Sequence, residues 1–417
     1  MQGQHSSTSP AKAVYNPLVP GFRENPHPQL HRLRAEDPVH WSPVLQVWVL
    51  TRHADVLFAL RDPRFSASAL HWENYQRFFS RSGSVGTPPP AEVYRHWMLQ
   101  LDPPDHTRLR ALVSKAFTPR TVEAFRPQIQ RMTDDLLDRV QGRGEMDLVA
   151  DLAYPLPIMA IATLLGTPPE DYADIRRWSA DLLPSFGPAM SAKQLEHVSR
   201  VTIEFSEYFK SLIACRRASP ENHLLDALIA ARDGANQLTD SELVSTCILL
   251  IVAGHLTTVQ LIARGTLLLL RNPDQLSLLR RSPEMTSGAI EEMLRLESPL
   301  QVVNRTALQD IPIGGKTIRK GQMVILSLAG ANRDPVQFPD PDRFDITRSP
   351  NRHIAFGFGE HFCAGAPLAR LEAQVVFPTL LRRFPDLSLL ERPLDYESSL
   401  ILRALKSLPV RLVREAA

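Results

Sequence analysis

Cys363 lies in the run Phe356-Gly357-Phe358-Gly359-Glu360-His361-Phe362-Cys363-Ala364-Gly365, which continues into Pro367, Leu368, Ala369 and Arg370. Glycines two positions apart let the backbone turn tightly, and the cysteine then stands where a helix begins, so free N–H groups of the first turn can stabilise a thiolate. Alone, the residue reads as well as an inert cysteine in a turn. Paired with His361 it could be a hydrolase nucleophile, but no orienting third group is visible. Three other spacings carry chemistry. Leu250, Ala253, Gly254 and Thr257 fall at i, i+3, i+4 and i+7, so a helix there has one face of small residues and a hydroxyl. His106 and Arg110, four apart, can aim at one acidic group, and Glu292 and Arg295, three apart, can pair.

These residues need elements to hold them. The chain has 417 residues, 44% of them apolar, enough for a large core. Lys plus Arg number 47 and Asp plus Glu 45, and a net charge of +2 gives no basic field of the kind that binds nucleic acid. The 35 prolines are spread without a Gly-Pro repeat, which excludes collagen-like and wholly disordered classes. Cys215, Cys247 and Cys363 are far apart and form no Cys-x-x-Cys pair, so neither a disulfide framework nor a zinc ribbon is expected, and a reducing, cytoplasmic setting fits. Uninterrupted apolar runs such as Cys247 to Ala253 are too short for a membrane span of ~20 residues, and no membrane is expected. Residues 1–20 are expected to be a flexible start and residues 21–417 a single domain.

Periodicity predicts helices over Pro28 to Glu36, Ala54 to Leu60 and Asp105 to Ala116, then four or five more from Pro119 to about Arg217, broken at Gly142, at Gly166 and around Pro184 to Pro188. Thr239 to Arg271 predicts one long helix, apolar on nearly every face, which must run through the interior. Helices follow over Asp274 to Arg281 and Met285 to Glu297, and strands over Gln46 to Thr51, Val302 to Ala307, Ile311 to Ile318 and Met323 to Leu328. Residues 330–355 are irregular, a final helix spans Ala364 to Phe384, and the tail is strand-like. The outcome is mainly α with a small β-sheet region and no internal repeat.

The cysteine run resembles the haem-binding loop of the cytochromes P450, Phe-x-x-Gly-x-x-x-Cys-x-Gly, and matches it at every specified position. With the other motifs the resemblance spans about residues 97–383. It implies the cytochrome P450 fold, with haem between the long central helix and the cysteine-loop helix, and a haem-thiolate monooxygenase that inserts one oxygen atom from O2 into a hydrophobic molecule. Cys363 would be the axial metal ligand, whose electron donation favours O–O cleavage. Phe356, Gly357 and Gly365 would shape the cofactor site. Without a Cys-x-x-Cys-His the cofactor would be non-covalent haem b (heme b, iron protoporphyrin IX). His106, Arg110, Arg305 and His361 would hold its propionates, while His353 could join them or bond within the loop. Glu292 and Arg295, with Arg343 from Pro341-Asp342-Arg343-Phe344, would form a buried structural lock. Ala253 and Gly254 would line a groove for dioxygen and water, with Thr257, and Thr258 beside it, serving proton delivery.

The sequence departs from the family at one position. Ala253-Gly254-His255-Leu256-Thr257-Thr258 carries leucine where an acidic residue is expected, and leucine neither shuttles a proton nor holds a water. His255 points about 100° away and does not obviously replace it. Water chains, Thr258 or a substrate hydroxyl could carry the protons, the oxidant could be peroxide, the chemistry could be atypical, or the protein could be a non-catalytic haem-thiolate binder. The substrate pocket is expected from residues 70–95, 180–190 and 300–303 and the turn 398–402, with Leu250, Leu300, Val302, Val303, Leu400 and Ile401 as its apolar lining. Electrons would come from a ferredoxin and its reductase, the ferredoxin docking on Arg110, Arg352, Arg370, Arg382 and Arg383 of a monomer.

Overall fold

The computed structural model describes residues 13–75, 93–183, 191–233, 236–397 and 399–412. It is mainly helical, with a five-stranded sheet and three smaller ones among the described residues. The large sheet contains β1 (Val39–Ser42), β2 (Val47–Leu50), β3 (Phe65–Ser66), β4 (Val302–Ala307) and β5 (Met323–Ser327), in the order β1-β2-β5-β4-β3. Within it β5 and β2 pair in parallel and the other neighbours are antiparallel. Three of its strands precede residue 67 and two follow residue 301, so the sheet clamps the two ends of the chain together.

The long helix spans Asp240–Arg271 and begins in a capping box between Thr239 and Glu242. From Glu242 to Leu267 every residue is buried except Leu250, Ala253, Gly254 and Thr257, the four that sequence spacing placed on one face. By length and hydropathy this helix could cross a membrane, yet 78% of its most apolar window is buried inside the protein. Counting uninterrupted apolar residues missed it, because Ala, Gly, His and Thr break the run without breaking the helix. It packs on the Pro155–Leu165 helix and on the cysteine helix, Ala366–Arg383. Gly265 makes the second contact possible: a Cβ there would lie 2.6 Å from the Phe377 ring and 2.8 Å from Met293 Sδ.

Three expectations need correction. Residues 13–20 are not a loose start: Tyr15 is buried, its N–H bonds His40 Nε2 at 3.2 Å, and its ring packs edge-on against Phe22. Residues 1–12 lie outside the described residues, as do most of the 70–95 segment, residues 184–190 and Ser398. Ile311 to Ile318 is not one strand but a hairpin, Ile311–Ile313 against Lys316–Ile318, turning at Gly314 and Gly315, both at positive φ. Met323 to Leu328 ends one residue early, because Ser327 caps a short helix over Leu328–Ala331.

Candidate functional site

The cysteine loop is held by its backbone. Cys363 N–H donates to Phe356 O at 3.0 Å, and Gly357 and Gly359 have φ of 71° and 75°. At Gly359 a Cβ would come within 2.9 Å of the Leu60 carbonyl oxygen, so this position admits only glycine. Phe356 is backed by Arg370, whose guanidinium lies 4.6 Å from the ring centroid. Arg370 in turn grips Glu291 through two bonds of 2.7 Å, and Glu291 also accepts from His353 Nε2 at 2.9 Å. His353 Nδ1 accepts from Ala355 N–H at 3.2 Å, so this residue bonds within the loop. Burial pushes the Glu291 carboxyl up, but Arg370 and His353 outweigh it and hold the pKa at about 2.

The cysteine itself corrects an expectation. Burial raises its pKa, against the N–H groups of Gly365 and Ala366 and the charges of Arg110 and Arg370, which lower it. The helix start alone therefore leaves a thiol, and coordination to a metal is what would remove the proton. Among the described residues no group of three or more His, Cys, Asp or Glu could hold a metal ion, so Cys363 could serve only a metal whose other ligands come from a cofactor.

Beside the loop four nitrogen-bearing side chains converge. The His106 and His361 rings are 4.0 Å apart, Arg305 comes from β4, and Arg110 follows His106 by one helical turn on Asp105–Ala116. His106 is pushed down by burial and Arg110, and His361 to about 3 by burial, Arg305, His106 and Arg110. His106 Nδ1 and His361 Nε2 are buried without hydrogen-bond partners, and among the described residues no carboxylate forms an ion pair with Arg110 or Arg305. Concentrated donors short of acceptors are what two propionates require, so these residues fit the cofactor.

On the long helix, Ala253 is exposed and Leu250, Gly254 and Thr257 are partly so. Thr257 Oγ1 donates to Ala253 O at 3.1 Å, leaving its lone pairs free to accept. Thr258 is different: it is buried and donates to Gly254 O at 3.2 Å, off the accessible stripe. Leu256 is buried too. His255 is buried against Tyr154, ring centroids 4.5 Å apart, with Nδ1 3.4 Å from Ser179 Oγ, and burial holds its pKa at about 3. It is neutral and on the far side of the helix from Thr257.

The lock exists with one change. Glu292 and Arg295 are fully buried and joined by bonds of 2.7 and 2.8 Å. Arg295 also donates to the carbonyls of Asn332, Pro341 and Arg343, while Glu292 accepts from Asp345 N, Asn351 Nδ2 and Arg348 Nε, each at 3.1 Å. The third guanidinium is thus Arg348; Arg343 is exposed and supplies only its carbonyl, because its side chain points outward from the turn.

The pocket assignments divide. Leu300 bridges Leu402, and Gln301 N–H donates to Ile401 O at 2.7 Å, so the turn does meet β4. By strand alternation Val303 shares the face of Arg305, whereas Val302 points the other way, into a cluster with Tyr15, Leu30 and Ile401. Leu400 lines a cavity on that same far side. Val302, Leu400 and Ile401 therefore pack the N-terminal segment, and Leu250, Leu300 and Val303 remain as pocket candidates. Of the docking arginines, Arg370 is spent on Glu291, and Arg383 on Asp134, Asp138 and Gln141; Arg352 and Arg382 are exposed, Arg110 only partly so.

The cytochrome P450 family model matches residues 43–282 and 280–404. The chain belongs to the cytochrome P450 family. A cytochrome P450 of Priestia megaterium, CYP107DY1, is 44% identical over 87% of this chain and 89% of its own length. The biotin biosynthesis cytochrome P450 of Bacillus subtilis is 41% identical over 93% and 96%. Among solved structures, P450BioI in complex with hexadec-9Z-enoic acid ligated acyl carrier protein has a TM-score of 0.87 at 40% identity, covering 94% of this chain and 100% of that one. Myxobacterial CYP267B1 in complex with myristic acid has 0.86 at 42%, covering 96% and 99%. This P450 is accordingly an oxidoreductase of the monooxygenase type, using haem and O2.

Sequence reasoning missed Arg348, the pairing of Arg108 with Glu242 that ties the Asp105–Ala116 helix to the start of the long helix, and a charged cluster around Glu297. One signal was available: Arg264 is an arginine inside a helix apolar on every side.

Proposed function

We propose that this P450 binds haem b through Cys363 and oxidises an apolar small molecule, with electrons from a separate ferredoxin and its reductase, as a single-domain cytoplasmic monomer. The observation that carries the reading is Cys363 in a glycine-built turn, beside four convergent cationic or imidazole groups with no carboxylate among the described residues paired to either arginine, next to a helix that between Glu242 and Leu267 is accessible only along Leu250, Ala253, Gly254 and Thr257. When bound, the haem supplies dioxygen activation and the oxidising equivalent. The chain does the rest. Arg110, Arg305, His106 and His361 neutralise and orient the propionates. Ala253 and Gly254 would leave room beside the cofactor, and Thr257 would accept and pass hydrogen bonds there. Leu250, Leu300 and Val303 exclude water and favour an apolar substrate. That relatives hold hexadec-9Z-enoic and myristic acids supports a chain-like acyl substrate.

Buried Leu256 favours a second mode, in which peroxide replaces dioxygen and electrons, because leucine stands where an acid that feeds protons to Thr257 is expected. Dithionite reduction under carbon monoxide should give a strongly red-shifted, thiolate-type Soret band, and Cys363→Ser should lose it; a histidine-type band in the unaltered protein would overturn the assignment. With a substrate found by spin-state shift, ferredoxin-supported turnover should consume more NADPH than it forms product, and Leu256→Glu should narrow that gap. Tight coupling in the unaltered enzyme would remove the case for the second mode.

A further inference from the structure

The groups that fit the propionates come from separate pieces of the fold. His106 and Arg110 stand on the Asp105–Ala116 helix, which packs chiefly on the Leu224–Ala230 helix and reaches the long helix through Arg108 and Glu242. Arg305 stands on β4, inside the large sheet. Two such halves grip a pair of carboxylates well at one spacing only, because hydrogen bonds weaken steeply outside a narrow range of distance and angle. A contact that ties this helix to this strand therefore bears directly on the cofactor.

Asp102 makes that contact. Its carbonyl accepts from His106 N–H at 3.0 Å at the start of the helix, while its carboxylate reaches across to the sheet. One carboxylate oxygen accepts from Ala67 N–H at 2.8 Å and the other from the Ser66 hydroxyl. Ser66 is the buried last residue of β3 and lies opposite Thr306 of β4, the residue after Arg305. The Ser66 hydroxyl also accepts from Ser68 N–H at 2.9 Å, so its own hydrogen is free for Asp102. Charge acts in the same direction. Asp102 opposes the burial and the Arg110 charge that push the His106 imidazole down, and it opposes the effect of burial on Arg305. It does so without forming an ion pair with Arg110 or Arg305; His71 Nε2 lies 3.8 Å from it, on an exposed side chain.

We propose that Asp102 is a positioning residue for the cofactor, fixing the spacing between His106 and Arg110 on the helix and Arg305 on the strand so that together they grip one pair of propionates. The inference rests on the haem reading of the site and goes beyond it. A carboxylate only accepts hydrogen bonds, so Asp102 acts on the propionates through these neighbours and not by bonding them.

The test compares the haem-loaded protein with Asp102→Asn and Ser66→Ala. The second leaves Asp102 in place and removes one hydroxyl, so it remains informative if the first fails to fold. Both variants should keep the thiolate-type Soret band under carbon monoxide, and both should shift the propionate-bending bands of the resonance Raman spectrum. Haem transfer to excess apomyoglobin should be about tenfold faster from Asp102→Asn, and faster by a smaller factor from Ser66→Ala. A merely structural role would lower the thermal midpoint and leave the propionate bands in place; that result, or unchanged haem transfer in both variants, would overturn the proposal. Absence of the thiolate band from the unaltered protein would remove the haem reading first, which keeps the two failures distinct.

Discussion

Glu292 and Glu297 leave neighbouring turns at one end of the Thr286–Leu296 helix, and both are encircled by arginine, yet they are built differently. Around Glu292 the carboxylate and the Arg295 guanidinium are fully partnered: Arg295 is bidentate, its spare donors meet three carbonyls, and Arg348, Asn351 and Asp345 N saturate the carboxylate, with Asn351 Oδ1 the one buried atom of the network left without a partner among the described residues. Around Glu297 three buried guanidinium groups converge on one carboxylate, Arg333 also bonds the exposed Asp342 at 2.9 Å, and the Tyr396 ring stands against Arg264 and Arg403. A fully enclosed pair with nearly every group partnered holds one geometry, whereas a cluster of several cations on one carboxylate is held by partners that reach it from separate parts of the chain.

The contrast can be broken from either side. Glu292→Gln should have the largest effect, about 3–5 kcal/mol, because it strips the charge from a fully enclosed pair and leaves Arg295 uncompensated. Urea unfolding of the haem-loaded variant measures it. Glu297→Gln should cost less, about 1.5–3 kcal/mol as for hydrogen bonds to charged groups, because Arg333 keeps Asp342 and Arg403 keeps the carbonyl of Arg23. Equal losses in the two variants would erase the distinction. Arg348→Ala should cost about 1.5–3 kcal/mol and Arg343→Ala no more than about 0.5. The reverse order would restore Arg343 to the lock.

The same two clusters mark the limit of the sequence. Glu292 and Arg295 are three apart on one helix, so their pairing follows from helical geometry, and β4 and the long helix follow from periodicities of two and 3.6. The identity of the third guanidinium does not, because Arg343 and Arg348 both lie in an irregular stretch where no period says which side chain turns inward. Glu297, Arg264, Arg333 and Arg403 are widely separated along the chain and meet only through tertiary packing. The site divides in the same way. Cys363, Gly359 and the Ala253–Thr257 stripe stand out by local spacing, while Val302 and Leu400, expected in the pocket, pack with the N-terminal segment on the side of β4 away from Arg305, since alternation orders a strand's two faces without saying what each one meets.

Glu291 completes the series with an effect that is read from how stability changes with pH. It neighbours Glu292 but is partly exposed, with 29% of its side chain accessible, and it serves the cysteine loop through Arg370 and His353. Its folded pKa of about 2 lies below the ordinary carboxylate value of 4.5, so the folded state holds its proton more weakly than the unfolded chain does. The stability this confers is complete above about pH 4.5 and is lost as pH falls from there toward 2. Glu291→Gln has no such proton to take up, so the variant should be less stable at neutral pH, and its thermal midpoint should fall less steeply than that of the unaltered protein between about pH 5 and 3. Arg370→Gln should flatten the same region of the profile, because it removes the charge that depresses Glu291. Parallel profiles in all three proteins would mean that the acid-sensitive step lies elsewhere, and that the loop carrying Cys363 is held by its glycines and main-chain bonds without help from Glu291.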